Sequence, residues 1–203
     1  MIRVSTSIII NILTMYLLNY IYNYLESIKK FPKRHTRKNI SNKPIEGFCL
    51  GEVNYRGQKY LNYKTRGPSK YNEIYAELLD MLNNLIKNHD SDFTYTTIQI
   101  NKNVVSPPHV DKNNIGMSYI IAFGDYEDGE LVIEGTKYDI KNKFLKFDGN
   151  LAHWTEPFRG TRYSIIYFTH TFKPPSASFR NIQVTKTGLY LDDKLVKVFP
   201  PHR

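Results

Sequence analysis

Between residues 93 and 169, apolar and polar residues alternate along short runs of this 203-residue chain. A period of two places successive side chains on opposite faces, so these runs predict β-strands with one buried face. Glycine, asparagine and aspartate separate the runs and are typical of tight turns. Five strands are predicted in this way, at residues 93–101, 117–123, 130–134, 143–147 and 161–169. Several short strands joined by turns favour a sandwich or a jelly roll.

The segment before these strands has a helical pattern. Its apolar residues recur every three or four positions, which predicts a core-covering helix over residues 71–88; they are Ile74, Leu78, Met81, Leu82 and Leu85. Residues 182–199 alternate again and predict a terminal hairpin. We therefore expect one mainly β domain over residues 71–203, with flanking helices and a C-terminal hairpin.

The N-terminal residues 1–30 have two competing interpretations. Residues 8–25 are uncharged and about long enough to span a bilayer. Asn11, Thr14 and Asn23, with Ser7, recur near helical spacing and would instead give a packed helix a polar stripe. A cleavable signal is less favoured, because no small-residue cleavage pattern follows. Either a membrane anchor or a helix packed on the domain is expected.

The net charge of +9 is concentrated in the first third of the chain. Residues 1–70 contain 13 Lys and Arg against 3 Glu, whereas residues 71–203 contain 15 against 16 acidic residues. Residues 31–70 therefore predict a basic linker and lead-in that can attract a nucleic acid or an anionic membrane. If residues 8–25 span a membrane, the basic cluster after them would stay on the cytosolic side. This cluster consists of Lys29, Lys30, Lys33, Arg34, Arg37 and Lys38.

Cys49 is the only cysteine. An intrachain disulfide is therefore excluded, which fits a reducing, intracellular compartment.

A candidate metal site is suggested by His109, Asp111 and His153. His109 and Asp111 lie two residues apart, so on an extended segment their side chains share one face. His153 follows 44 residues later, after strands that can return the chain over the first segment. Two histidines and one carboxylate suit a six-coordinate ferrous ion and leave three positions for substrates. Each residue alone carries little information, since histidines and aspartates are common in loops and cores.

Arg162 and Ser164 lie on one face of the last predicted strand. A buried arginine without a partner is costly, so an inward-facing Arg162 indicates a bound anion. The alternative is an ion pair with a structural carboxylate such as Glu156.

Four segments, in this order, resemble the core of the Fe(II)- and 2-oxoglutarate-dependent dioxygenases, and most of all their prolyl-hydroxylase-like branch. They are Pro-His-Val-Asp at 108–111, Asp-Gly-Glu-Leu at 128–131, Asp-Gly-Asn-Leu-Ala-His at 148–153 and Gly-Thr-Arg-Tyr-Ser at 160–164. His-x-Asp alone is unspecific, whereas the ordered combination is quite specific. The resemblance covers roughly residues 93–172.

The resemblance implies a double-stranded β-helix, or jelly roll, with Fe(II) bound by His109, Asp111 and His153. Arg162, assisted by Ser164, would bind the distal carboxylate of 2-oxoglutarate. The implied reaction consumes dioxygen and couples oxidative decarboxylation of 2-oxoglutarate to hydroxylation of a substrate C–H bond.

Members of this family often add a polar residue from a neighbouring strand to the cosubstrate site. Tyr119, Gln99 and Asn101 are the candidates here. An ordinary structural role on a strand is the alternative for each.

Three classes of substrate are compatible with these residues. The resemblance favours a protein or peptide side chain, and the basic first third keeps a nucleobase of DNA or RNA as the alternative. A small molecule is a third class. The alternative that is not an enzyme is a β module that is recruited through the basic segment. This alternative gives no reason for the candidate metal ligands and Arg162 to occur together.

Overall fold

The computed structural model describes residues 6–34, 40–41, 43–56, 64–170, 182–184, 188–191 and 194–198. The chain divides into two compact units, one formed by residues 1–53 and 67–171 and the other by residues 54–66 and 172–203. The helices are α1 (Thr6–Ser27), α2 (Tyr71–Ile74) and α3 (Ala76–His89). The larger unit contains the metal-ligand candidates.

Fifteen strands are described. In chain order they are β1 (Lys33–Arg34), β2 (Ile45–Arg56), β3 (Lys64–Pro68), β4 (Thr97–Lys102), β5 (Asn114–Phe123), β6 (Tyr126–Asp128), β7 (Leu131–Ile133), β8 (Thr136–Tyr138), β9 (Leu145–Phe147), β10 (His153–Thr155), β11 (Phe158–Gly160), β12 (Tyr163–His170), β13 (Ile182–Val184), β14 (Gly188–Leu191) and β15 (Lys194–Val198).

The strands form antiparallel sheets that build a jelly roll. The major sheet has the order β1-β2-β4-β12-β5-β9, and β3 pairs with β2. The minor side consists of β10-β7-β8 and the pair β11-β6. All five strands predicted between residues 93 and 169 are present, with shifted ends, and the predicted mainly β jelly-roll fold is confirmed.

Two apolar clusters flank the major sheet. On one face, Ile98, Ile121 and Ile165 pack with residues of α1 and α3. On the other face, Ile120 and Ala122 pack with Leu131 and further residues of the minor side. Since side chains alternate along a strand, neighbouring residues of β5 and of β12 enter different clusters. The face that carries Ile120 is the one on which the candidate site lies.

The predicted helix over residues 71–88 is interrupted at Tyr75, where the backbone leaves the helical region (φ −124°, ψ 44°). Leu78, Leu82 and Leu85 bury the apolar face of α3 as expected. Ile74 was expected on the same face but is 61% exposed, because it belongs to the separate turn of α2.

The second half of α1 packs on the larger unit. Leu18, Ile21 and Leu25 are buried in the cluster shared with α3, whereas Leu13 is 54% exposed. Asn23 is exposed, and the side chains of Ser7 and Asn11 lie outside the described part of the chain. Among the described residues, no helix combines the length and the hydrophobicity needed to cross a bilayer.

The segment expected to be a basic linker contributes strands. Residues Lys33–Arg34 form β1, and β2 pairs with β4 from Gly47↔Asn101 to Gly51↔Thr97. Of the basic cluster, Arg37 and Lys38 lie outside the described residues. In the smaller unit, β13, β14 and β15 form an antiparallel three-stranded sheet where a hairpin was expected.

Candidate active site

His109 and His153 are joined through their backbones. The amide of each donates to the carbonyl of the other, at 3.0 Å and 2.9 Å, so His109 forms a one-residue bridge beside β10. Their imidazole rings lie with centroids 4.3 Å apart. A hydrogen-bonded bridge of the minor side therefore brings together two histidines that are far apart in sequence.

The two rings are oriented by the same local contact. Nδ1 of His109 lies 2.8 Å from the carbonyl oxygen of Pro107, and Nδ1 of His153 lies 2.8 Å from that of Leu151. A carbonyl oxygen only accepts, so each Nδ1 carries the proton and donates it. With this proton on Nδ1, Nε2 is the ring nitrogen that faces away from the carbonyl and can bind a metal ion.

Asp111 completes the cluster. Its amide donates to the carbonyl oxygen of Gly149 at 2.8 Å, which ties the His109–Asp111 segment to the turn before β10. A Cβ on Gly149 would lie 3.6 Å from the Cβ of Asp111 and 3.1 Å from Nδ2 of Asn114, so a larger side chain would crowd this turn. One ligand atom from each of His109, Asp111 and His153 lies within 4.8 Å of the others.

The cluster lies at one side of a cavity between the sheets. The remaining walls are mostly apolar, with a few hydroxyls and one amide; they are Ile40, Ile45, Asn101, Val104, Ser106, Ile120, Leu131, Phe147, Thr155, Ser164 and Ile166. Among these described lining residues there is no lysine or arginine. A ligand in this cavity would meet the metal-ligand candidates in largely apolar surroundings.

Arg162 immediately precedes β12 and is 2% exposed. Its guanidinium lies between two aromatic rings, 5.4 Å from the centroid of Tyr126 and 5.5 Å from that of Phe158. Nε and Nη2 are buried and have no hydrogen-bond partner. Burial lowers the pKa of Arg162, while the neighbouring Tyr126 hydroxyl opposes this shift. Such a group has the donors to hold a carboxylate.

Glu156 does not pair with Arg162. Its carboxylate accepts from the indole N–H of Trp154 at 3.2 Å and lies 3.7 Å from the ammonium of Lys137. The nearby Arg159 is exposed and pairs with Glu127 and Asp128. Within the described part of the chain, no carboxylate forms an ion pair with Arg162. The structure therefore does not contain the ion pair that was the alternative interpretation of this arginine.

Ser164 and Asn101 line the cavity from the neighbouring strands β12 and β4. The Nδ2 group of Asn101 donates to Oγ of Ser164 at 3.3 Å. Gln99 lies on the same face of β4, but its amide contacts Asn101 and backbone carbonyls and is not part of the cavity wall.

Tyr119 was expected beside the cosubstrate, but it lies on the opposite face of its strand. Tyr119 is on the helix-facing side of β5, where its hydroxyl donates to Asp90 Oδ2 at 2.9 Å and its ring packs against Phe93 and Phe144. It does not line the cavity, and its contacts support a structural role.

No protein-family model and no curated protein match the sequence. Solved structures with a similar fold include a Burkholderia pseudomallei oxidoreductase of the 2OG-Fe(II) oxygenase family, which is 15% identical (TM-score 0.48, covering 76% of this chain and 77% of that chain). A Pseudomonas putida prolyl-4-hydroxylase is 12% identical (TM-score 0.43; 79% and 88%). NgTET1 in complex with 5mC DNA is 13% identical (TM-score 0.48; 75% and 68%).

The sequence pattern left several site residues unidentified. Tyr126 and Phe158 flank the guanidinium of Arg162, and Ser106 and Thr155 hydroxyls meet at 3.1 Å in the cavity wall. The two carbonyls that orient the histidine rings were also missed. A usable signal exists for them, because each belongs to the residue two positions before its histidine.

The residues present fit the groups that the resemblance implies. Two neutral Nε2 atoms and a carboxylate suit a divalent ion such as Fe(II). The buried, unsatisfied N–H groups of Arg162 suit one carboxylate of 2-oxoglutarate, because an anion there would satisfy both charge and hydrogen bonds.

Proposed function

We propose that this protein is an Fe(II)- and 2-oxoglutarate-dependent dioxygenase that hydroxylates a C–H bond of a protein or peptide side chain. One observation carries the proposal. His109, Asp111 and His153 converge at one cavity wall. Arg162, which immediately precedes β12, is buried, and its Nε and Nη2 have no hydrogen-bond partner.

In this proposal each residue has a separate task. His109, Asp111 and His153 hold the ion, and the carbonyls of Pro107 and Leu151 keep the rings in the required tautomer. Arg162 and Ser164 orient the cosubstrate by its distal carboxylate. The bound ion and cosubstrate supply the oxidative chemistry.

The cavity walls have a further task. Ile120, Leu131 and Ile166 exclude water from the reacting groups, which strengthens the electrostatic contacts inside the cavity and prevents side reactions.

The surroundings of the cavity support a peptide as substrate. Arg162, which the proposal assigns to the cosubstrate, is not among the lining residues, and the described lining has no other cationic side chain that could hold a phosphate backbone. Large apolar side chains are exposed on the segments around the ligand residues, namely Val105, Ile115, Met117 and Leu151. Exposed apolar surface of this kind is a common feature of peptide-binding sites.

The cosubstrate reaction can be tested without knowing the substrate. Purified protein with Fe(II), 2-oxoglutarate and dioxygen should release succinate slowly by uncoupled turnover. Asp111→Ala should abolish this release because the ion loses its only anionic protein ligand. The matched control is Asp139→Ala, which removes an exposed carboxylate paired with Lys143. Equal succinate release from Asp111→Ala and the wild type would overturn the proposal.

The substrate class needs a second experiment. Pools of peptides and of single- and double-stranded oligonucleotides should be compared for stimulation of succinate release and for gain of one oxygen atom by mass spectrometry. Stimulation and oxygen gain confined to peptides support the proposal. The same result confined to oligonucleotides would overturn the peptide assignment and retain the dioxygenase activity.

A further inference from the structure

The side-chain amide of Gln99 has a fixed orientation. Its Nε2 lies 3.2 Å from the carbonyl oxygen of Phe48 and 2.8 Å from that of Ile100. Carbonyl oxygens only accept, so the nitrogen must be on this side of the amide. On the other side, Oε1 accepts from Sγ of Cys49 at 3.1 Å. The backbone therefore determines which way Gln99 points.

The orientation of Gln99 determines that of Asn101. Nε2 of Gln99 donates to Oδ1 of Asn101 at 2.9 Å. If the Asn101 amide were turned over, two NH₂ groups would face each other without an acceptor. The amide nitrogen of Asn101 is thus directed towards Ser164, where it donates to Oγ at 3.3 Å.

The Ser164 hydroxyl is the last group in this chain of hydrogen bonds. Because Oγ accepts from Asn101, and an amide nitrogen cannot accept in return, the Ser164 proton has to be donated elsewhere. Ser164 and Asn101 both line the cavity, whereas Gln99 does not. The hydroxyl proton of Ser164 and the second N–H of Asn101 are therefore the two donors that this side of the cavity can offer to a ligand.

A glycine on the adjacent strand leaves room for these side chains. Gly47 pairs with Asn101 across β2 and β4. A Cβ at Gly47 would lie 3.0 Å from Asn101 Oδ1, 3.1 Å from Gln99 Nε2 and 2.7 Å from the carbonyl oxygen of Ile100. Any side chain at this position would displace the amides, so the space beside Gly47 is part of the arrangement.

We propose that Gln99 is a positioning residue for the cosubstrate. By fixing the amide of Asn101, it makes the Ser164 hydroxyl and the second Asn101 N–H donate to a carboxylate held in the cavity. The inference rests on the proposed function, because that carboxylate belongs to 2-oxoglutarate. Gln99 itself acts through Asn101 and Ser164 and does not touch the ligand.

The test is a double-mutant cycle on cosubstrate affinity, measured by isothermal titration calorimetry of 2-oxoglutarate with Mn(II) in place of Fe(II) to prevent turnover. The variants are Gln99→Met, Ser164→Ala and the two combined. Methionine has a similar length but no donor, so the Asn101 amide can turn and accept from Ser164. Cys49→Ala is the matched control. Among the described hydrogen bonds of Gln99, Cys49 takes part only in the one to Oε1, so this substitution leaves the Nε2 bonds in place.

We expect Ser164→Ala to weaken 2-oxoglutarate binding about tenfold, as for loss of one hydrogen bond to a charged group. Gln99→Met should weaken binding about three- to tenfold, and Cys49→Ala should bind as the wild type does. The combined variant should bind more weakly than Ser164→Ala but less weakly than the product of the two single penalties, because only part of the effect of Gln99 passes through Ser164.

Each contrary result has its own meaning. Wild-type affinity in Gln99→Met would overturn the inference, as would penalties that multiply in the combined variant, and both leave the proposed function intact. Absence of 2-oxoglutarate binding in the wild type would overturn the proposed function together with the inference. If Gln99→Met has no thermal unfolding transition, Gln99→Leu replaces it; leucine also lacks the donor, so the same affinity loss is expected.

Discussion

His109 and His153 are joined by two backbone hydrogen bonds, one donated by the amide of each residue. The bridge does not depend on either imidazole. A variant that loses one ring should therefore keep the local structure and lose only what the ring binds.

This relationship predicts the outcome of His109→Ala. The apo variant should unfold at nearly the wild-type temperature, because the bridge to His153 is made by the backbone. The wild type should gain thermal stability when Fe(II) or Mn(II) is added anaerobically, since a ligand that binds only the folded state stabilises it. His109→Ala should lose most of this gain. His89→Ala, on α3, is the control and should keep this metal-dependent gain.

A large loss of stability in the apo form of His109→Ala would contradict the assignment, because it would mean that the ring has a structural role. An unchanged metal-dependent shift would also contradict it, since the ion would then bind elsewhere.

Arg162→Met should make the apo protein more stable and abolish the succinate release that the proposed function predicts. A buried guanidinium without a described anionic partner is costly, and replacing such a group by an apolar side chain can stabilise a fold by about 1–2 kcal/mol. The same change removes the proposed carboxylate site, so 2-oxoglutarate binding should be lost. Urea unfolding and calorimetry measure the two effects separately.

Arg159→Met is the matched control for this prediction, because Arg159 is exposed and pairs with surface acids. It should change stability by no more than about 0.5 kcal/mol and leave cosubstrate binding unchanged. If Arg162→Met instead destabilised the apo protein strongly, the contacts with Tyr126 and Phe158 would be the main role of this arginine.

Length alone does not decide which strands could be predicted, since β7 and β9 contain only 3 residues each and were predicted as runs between turn residues. β5 and β12 contain 10 and 8 residues, and their period of two is visible in the sequence. β8, β10 and β11 contain 3 residues each, too few to establish a period. Such strands exist because distant segments pair with them, as β7 does with β10, and single-sequence periodicity contains no information about that pairing.

The metal-ligand candidates could be identified because their residue types and order are specific in combination. The face of Tyr119 could not be determined, because every residue from Ser118 to Phe123 is buried. On a central strand covered on both sides, alternation separates two faces but does not say which one meets the helices and which meets the cavity. Gln99 and Asn101 were both candidates for the cosubstrate site, yet only the structure distinguishes the residue that lines the cavity from the one that orients it.

The packing of α1 predicts unequal effects along one helix. Ile21→Ala should lower the free energy of unfolding by about 2–5 kcal/mol, because Ile21 is fully buried in the cluster with α3 and truncation leaves a cavity. Leu13→Ala, on the exposed side, should change it by less than about 0.5 kcal/mol. Urea unfolding monitored by tyrosine fluorescence measures both. Equal effects of the two substitutions would show that α1 does not pack on the larger unit through this face.

The buried tyrosines predict loss of stability at alkaline pH. Burial raises the pKa of Tyr95 to about 12, and burial also raises the pKa of Tyr167, whose hydroxyl donates to the carbonyl oxygen of Leu82. Tyrosines of the unfolded chain ionise near pH 10, at about their ordinary pKa. From about pH 10 to 12, the unfolded chain therefore releases protons that folded Tyr95 retains, and stability falls as pH rises. Below about pH 10 this contribution is fully present.

Tyr95→Phe tests this dependence. The variant should lose some stability at neutral pH, because the hydrogen bond from Tyr95 to Asn83 Oδ1 is removed. Its urea midpoint should then decline less steeply than that of the wild type between about pH 10 and 12, because one fewer proton is linked to unfolding. Identical slopes for the two proteins in this range would show that Tyr95 does not retain its proton in the folded state, and that the alkaline loss of stability arises from other groups.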